Sequence, residues 1–113
     1  MKDSLAKQAL PLPVERALAQ LGRDMCIARR RRNLTSALVA ERAFVSRNTI
    51  TRVERGDAGV SMGIYASVLF VLGMTDRLAR LAEPVSDGLG MDLAADQLPK
   101  RIRSSREKAG GGL

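Results

Sequence analysis

The stretch AERAFVSRNTITRVERG, Ala40 to Gly56, contains two short helical patterns that are separated by only a few residues. Ser46 is placed as the N-cap of the second pattern, and Gly56 is the kind of residue that ends a helix. Within the second pattern Ile50 and Val53 fall on one face, and polar or basic residues occupy the others. The stretch therefore predicts two helices joined by a tight turn, the second of them amphipathic.

Phe44 lies in this turn, where a chain that turns tightly often has glycine. A residue other than Gly or Asn loses roughly 1–2 kcal/mol in a left-handed conformation. Two interpretations stay open. In the first, which we favour, the turn keeps a negative φ and Phe44 lies over the edge of the two helices. In the second, Phe44 is exposed and contacts a partner chain.

Outside this stretch, helical spacing and N-cap residues predict three more helices. The first runs from near Pro13 to about Arg32, and its apolar residues recur at intervals of three and four. Thr35 is the N-cap of the second helix, Ser61 of a fourth helix over 62–72, and Thr75 of a fifth over 76–82. Five helices with no alternating strand pattern predict an all-α domain.

Composition and charge narrow the class of protein. The 113 residues suit one domain, and 45% hydrophobic residues with only 3% aromatic ones suit helices that pack closely on each other. Nineteen Lys and Arg residues against twelve Asp and Glu give a net charge of +7. A basic chain of this kind favours an anionic partner, most often nucleic acid, although a solvated basic surface is the alternative.

The amino-acid composition also excludes several kinds of functional site. The single Cys26 permits no intramolecular disulfide, and the absence of His excludes a His-based triad and a Cys/His zinc site of the usual kind. No spacing of carboxylates isolates an acid/base pair, so we expect no enzyme, no metal and no cofactor. No apolar run is long enough for a signal peptide or a membrane span. We expect a cytoplasmic, nucleoid-associated protein.

Two short helices with N-caps at Thr35 and Ser46 and a turn of about three residues match the helix-turn-helix motif. The stretch RRRRNLTSALVAERAFVSRNTITRVERG, residues 29–56, resembles XRE-type, lambda-repressor-like DNA-binding proteins. Separated features agree, among them Ala28-Arg29, Leu34-Thr35, Val39-Ala40-Glu41, Val45-Ser46, Ile50 and Val53-Glu54-Arg55-Gly56. The resemblance covers roughly 14–82 and implies a five-helix, lambda-repressor-like helix-turn-helix domain, followed here by a flexible basic C-terminal tail.

The helix from Arg47 onwards is the expected recognition helix. An α-helix fits the major groove of B-DNA, and the side chains of its first turn reach base edges. Arg47 can bind guanine O6 and N7, Asn48 can bind adenine N6 and N7, and Thr51 and Arg52 follow one turn later. These four are the candidate base-reading residues. A solvated charged helix face is the alternative interpretation.

Phosphate contacts are expected where helices begin, because hydroxyls and exposed backbone N–H groups meet the positive end of the helix dipole there. The candidates are Thr35, Ser36, Ser46 and Arg55. The resemblance further implies a structural ion pair between Arg29 of the first helix and Glu54 of the third. In the family a Gln often stands at the position of Ser36.

The stretches GDAGVSMGIYASVLFVLGM and LGMDLAADQLPKRIR resemble antitoxins of the HipB type. This resemblance implies a homodimer that binds double-stranded operator DNA, restrains a HipA-like kinase toxin and represses its own operon. A stand-alone XRE regulator without a toxin is the second hypothesis. A protein-only interaction module built on the same helices is the third.

The chain is expected to divide into an N-terminal arm (1–12), the helix-turn-helix domain (13–83), an extension that contacts a dimer mate or partner (84–99) and a disordered basic tail (100–113). Two-fold pairing would place two recognition helices about 34 Å apart on one face of the DNA. The candidate dimer surfaces are the 85–98 segment and the apolar residues Ile64, Leu69, Met74, Leu78 and Leu81. Several of these are expected to be ordinary core residues instead, and the apolar stripe does not show which.

Overall fold

A computed structural model describes residues 9–97 of the chain. Within that range it contains six α-helices, one short 3-10 helix and no strand, which confirms the all-α prediction. The helices are α1 (Leu12–Arg31), α2 (Ser36–Ala43), α3 (Arg47–Glu54), α4 (Met62–Val71), α5 (Thr75–Ala79) and α6 (Gly88–Gln97), with the 3-10 helix at Pro84–Ser86. The chain divides into two compact units, one up to Leu78 and one from Ala79 onwards.

The predicted N-caps set the starts of the three central helices. The Thr35 hydroxyl accepts a hydrogen bond from the Leu38 N–H at 3.0 Å, and the Ser46 hydroxyl accepts one from the Thr49 N–H at 3.1 Å. The Ser61 hydroxyl does the same for Ile64 at 3.2 Å. Each bond satisfies one of the N–H groups that a helix start leaves without a partner inside the helix, so these starts are fixed locally.

The core of the first unit is a set of buried, mostly aliphatic side chains contributed by α1 to α4 and the loop before α4. Its members are Met25, Ala28, Val39, Ala40, Ala43, Ile50, Val53, Val60, Tyr65, Val68, Leu69 and Leu72. Helix α1 approaches the end of α3 so closely that a Cβ on Gly22 would lie 2.6 Å from the Gly56 nitrogen. Gly56 itself has a φ of +73°, a conformation that glycine adopts without strain. These two glycines allow α1 and α3 to pack backbone against backbone.

The C-terminal part of the described chain differs from the prediction. Helix α5 begins at Thr75 rather than after it and ends at Ala79, three residues early. Glu83 is extended because it precedes Pro84, which disfavours a helical conformation there. The segment predicted only as an extension forms α6, whose start is held by a hydrogen bond from the Gly90 N–H to the Asp87 carboxylate at 2.9 Å.

Of the five single residues named as a candidate dimer surface, four lie in the core or pack against it. Leu69 is buried, and Ile64, Met74 and Leu78 are partly buried against the core cluster. Their spacing fits a buried stripe equally well, so the sequence pattern could not separate the two roles. Leu81 is exposed, as are four apolar residues of the 85–98 segment: Val85, Leu89, Met91 and Leu93.

The predicted basic tail, 100–113, and all but the last four residues of the predicted N-terminal arm lie outside the described residues. In residues 9–97, none of the helices combines the length and the apolar character that crossing a bilayer requires.

Candidate nucleic-acid interface

Helix α3 presents two contrasting faces. Ile50 and Val53 are fully buried with 0% exposure, and they anchor the helix to the rest of the first unit. Arg47, Asn48 and Thr51 are exposed on its remaining faces. The first two lie in the first turn, directly after the Ser46 N-cap. The structure therefore fixes the helix by its apolar side and leaves the two strongest candidate base-reading residues open to a ligand.

The side chains of Thr51 and Arg52 already make hydrogen bonds within the protein, which the sequence did not predict. The Thr51 hydroxyl donates a hydrogen bond to the Arg47 carbonyl at 3.3 Å, one turn back in the same helix. Arg52 is only half-exposed, and its Nε donates to the Asp57 carboxylate at 2.8 Å. Asp57 lies in the loop after α3, five residues along the chain, and the sequence analysis did not single it out because that spacing is not a helical one.

The ion pair expected between Arg29 and Glu54 is present and joins α1 to the end of α3. Arg29 Nε lies 2.6 Å from one carboxylate oxygen of Glu54, and Nη2 lies 3.2 Å from the other. A third guanidinium nitrogen donates to the Leu34 carbonyl at 2.9 Å. The hydrogen bond to Glu54 raises the pKa of Arg29 above its ordinary value, despite the opposing effect of burial. The pair fixes the recognition helix relative to α1.

The candidate phosphate contacts surround the starts of α2 and α3 and the end of α3. Thr35, Ser46 and Arg55 are exposed, and Ser36 is half-buried. The hydroxyls of Thr35 and Ser46 already accept bonds from their own helices. Each hydroxyl keeps a second lone pair, and the Thr35 proton can be donated to a phosphate oxygen. The Ser46 hydroxyl also shares a hydrogen bond of 2.9 Å with the Thr49 hydroxyl, in which either can donate, so its proton or its second lone pair is already engaged.

Phe44 has the left-handed conformation, with φ 59° and ψ 41°. The favoured expectation of a turn with negative φ, and a ring lying over the helices, was therefore wrong. The turn needs a left-handed residue because the N–H of Val45 must bond back to the Ala40 carbonyl, at 3.0 Å, to close α2. The ring points into solvent and is 95% exposed.

Phe44 and Phe70, the two phenylalanines of the chain, line one open groove between the end of α2 and the outer side of α4. We call it the Phe44–Phe70 groove; its volume is about 360 Å³. The residues that line it are Arg42, Ala43, Phe44, Ala66, Ser67 and Phe70. Phe70 is 72% exposed, although it lies within the apolar run of α4. The exposed face of α4 also carries Met62 and has no charged side chain.

The exposed groups at the start of α3 are of the kinds that contact anions and base edges. In residues 9–97, no group of three or more Cys, Asp and Glu side chains is placed to hold a metal ion. The exposed groups of α3 are hydrogen-bond donors and acceptors on a helix that is held by its apolar face, as groove recognition requires.

Comparison with families of known proteins matched the family model of the helix-turn-helix domain to residues 20–82, more than half of the chain. Comparison with the curated proteins gave no match. Comparison with the solved structures gave none either. The matched region contains most of α1 and all of α2 to α5, including the recognition helix and its ion pair with Arg29. The chain therefore belongs to the helix-turn-helix domain family, with the all-α architecture of XRE-type, lambda-repressor-like DNA-binding regulators.

Proposed function

We propose that this protein is a sequence-specific transcriptional repressor that reads operator DNA with α3, as a homodimer. The observation that carries the proposal is the first turn of α3, where Arg47 and Asn48 are exposed while Ile50 and Val53 are fully buried. Base edges are reached from this end of a recognition helix. The packing at Gly22 and Gly56 and the Arg29–Glu54 pair hold the helix rigidly, which reduces the entropy lost on binding.

The test of DNA recognition uses the DNA upstream of the protein's own gene. We expect the protein to bind this duplex far more tightly than a scrambled duplex of the same length. Asn48→Ala should remove most of that preference, and Arg16→Ala, a change of an exposed cation on α1, should leave it intact. Equal binding of the two duplexes by the unaltered protein would contradict sequence-specific recognition at this DNA.

We further propose that the protein is the antitoxin of a type II toxin–antitoxin pair, which binds a HipA-like kinase and represses the operon that encodes both. The resemblance of the α4 region and of residues 89–103 to HipB-type antitoxins supports this. So does the Phe44–Phe70 groove, because two exposed aromatic side chains beside the uncharged face of α4, with Arg42 at the α2 side, are typical of protein–protein contacts.

Co-purification with the product of the neighbouring gene and with the upstream DNA tests the antitoxin proposal. We expect a complex of all three, and we expect Phe70→Ser to weaken kinase binding at least tenfold without changing DNA binding. Leu12→Ala, another exposed apolar residue, is the matched control. A neighbouring gene that encodes no kinase would leave a stand-alone regulator as the function.

A further inference from the structure

Arg52 is the one candidate base-reading residue that another side chain holds through an ion pair within the described residues. Its Nε lies 2.8 Å from Oδ2 of Asp57, and the two side chains are 36% and 22% exposed. The bond uses Nε, so the four N–H groups on Nη1 and Nη2 can still donate to a ligand. Because the guanidinium is planar, fixing Nε also fixes the direction in which those groups point.

Hydrogen bonds to the backbone of Asp57 and to its second carboxylate oxygen also fix this residue in place. Its N–H donates to the Arg52 carbonyl at 3.0 Å, and its carbonyl accepts from the Tyr65 hydroxyl at 2.8 Å. Its second carboxylate oxygen accepts from the Gly59 N–H at 2.7 Å. Tyr65 is a buried residue of α4, so its bond ties the backbone of Asp57 to the core, while the carboxylate itself is oriented by Arg52 and by the Gly59 N–H.

This arrangement changes what Arg52 can do beside DNA. An unrestrained arginine reaches phosphates easily, because they surround the groove and attract its charge. A carboxylate next to the guanidinium repels phosphates and keeps the side chain in one orientation. The remaining donors then suit a fixed pair of acceptors, such as O6 and N7 of a guanine.

We propose that Asp57 is a positioning residue that sets the base preference of Arg52. The proposal rests on the proposed function, that α3 reads DNA, and adds a residue outside the recognition helix to its specificity. It makes two predictions of opposite sign. Loss of the Asp57 charge should lower discrimination at the base pair that Arg52 reads, and it should leave unchanged or increase the affinity for unrelated DNA.

The test is selection from a library of duplexes with randomised sequence, followed by sequencing of the bound fraction. Asp57→Asn is the central variant, because the amide keeps an acceptor for Gly59 and lacks the charge that holds Arg52. Arg52→Ala should flatten the preference at one base pair. We expect Asp57→Asn to reduce the preference at the same base pair by roughly five- to tenfold, within the range of a bidentate contact.

Tyr65→Phe is the matched control, since it removes the hydrogen bond to the Asp57 carbonyl but keeps both charges of the ion pair. We expect it to retain the preference that Asp57→Asn loses. The double variant Arg52→Ala/Asp57→Asn should be no less selective than Arg52→Ala alone. If Asp57→Asn does not fold, Asp57→Ser provides the same test, because serine can still accept from Gly59 but does not reach Arg52.

Several results would overturn the proposal while leaving DNA recognition intact. They are an unchanged base preference in Asp57→Asn, an equal loss of affinity for every sequence, the same effect from Tyr65→Phe, or no effect of Arg52→Ala on any base pair. If α3 does not read DNA at all, the result is distinguishable, because the unaltered protein would then enrich no sequence from the library.

Discussion

Replacing Phe44 with glycine should leave the protein at least as stable as it is now, although a large aromatic side chain is lost. Phe44 has a left-handed conformation that costs a non-glycine residue roughly 1–2 kcal/mol. With 95% of the residue exposed, the ring buries only about 10 Å² out of roughly 200 Å², which contributes about 0.3 kcal/mol. Glycine loses about 0.5–1 kcal/mol more conformational entropy on folding than alanine does.

Together these contributions predict that Phe44→Gly changes the free energy of unfolding by between roughly zero and +1 kcal/mol. Phe44→Ala is the matched control, because it removes the ring but keeps the Cβ that strains the left-handed turn. The strain of about 1–2 kcal/mol, less the extra entropy of about 0.5–1 kcal/mol that glycine loses, makes the alanine variant less stable than the glycine variant by roughly 0–1.5 kcal/mol. Phe44→Asn should fall between the two, since asparagine tolerates this conformation better than other residues.

Urea unfolding followed by circular dichroism at 222 nm measures these differences, provided that the slope with urea is the same for all variants. A loss of more than about 1 kcal/mol in Phe44→Gly would contradict this prediction, because it would mean that the ring stabilises the fold. Weaker binding of the proposed kinase partner by a Phe44→Gly variant of unchanged or higher stability would fit a residue that is kept for a partner at the expense of turn strain.

Three further predictions concern the recognition helix and its supports. Arg47→Ala and Asn48→Ala should each lose discrimination at one base pair, by roughly 1–3 kcal/mol for a bidentate contact. Competition binding with single-base variants of the selected duplex measures this loss, and an equal loss of affinity on all duplexes would identify that residue as a phosphate contact. Arg29→Ala should lower the free energy of unfolding by roughly 2–3 kcal/mol, because it leaves the mostly buried Glu54 carboxylate without its cation. The double variant Arg29→Met/Glu54→Leu should be nearly neutral, and urea unfolding of both variants distinguishes loss of a specific ion pair from loss of general packing. Burial, with the nearby Asp57 charge, raises the pKa of Tyr65 to about 12, so the folded state favours the protonated phenol. The stability that this preference contributes should be complete below about pH 10 and lost between about pH 10 and 12. Absorbance at 295 nm reports the titration of the only tyrosine directly, and a midpoint near pH 10 in the folded protein would contradict the prediction.

Features that depend on neighbouring residues along the chain could be predicted from the sequence. Thr35, Ser46 and Ser61 are N-caps because a short hydroxyl side chain precedes a helical pattern, and the structure has all three bonds. The start of α6 was missed for a related reason. Asp87 caps it in the same way, but the glycines that follow weaken the helical pattern.

Features that depend on tertiary packing could not be predicted in the same way. Helix α4 is apolar on every side, so its sequence does not show that Leu69 faces the core while Phe70 faces solvent. The Arg29–Glu54 pair was expected only from a family resemblance, because no local spacing links residues on different helices. The Arg52–Asp57 pair had neither a helical spacing nor a known pattern to indicate it.

The central claim is that α3 reads DNA. The most direct measurement is the affinity of the unaltered protein for its selected duplex and for a scrambled duplex over a series of salt concentrations. We predict a clear preference for the selected duplex, and we predict that the logarithm of both binding constants falls linearly with the logarithm of the salt concentration as counterions are released. Equal affinities for the two duplexes, or binding that does not respond to salt, would be incompatible with DNA recognition by α3.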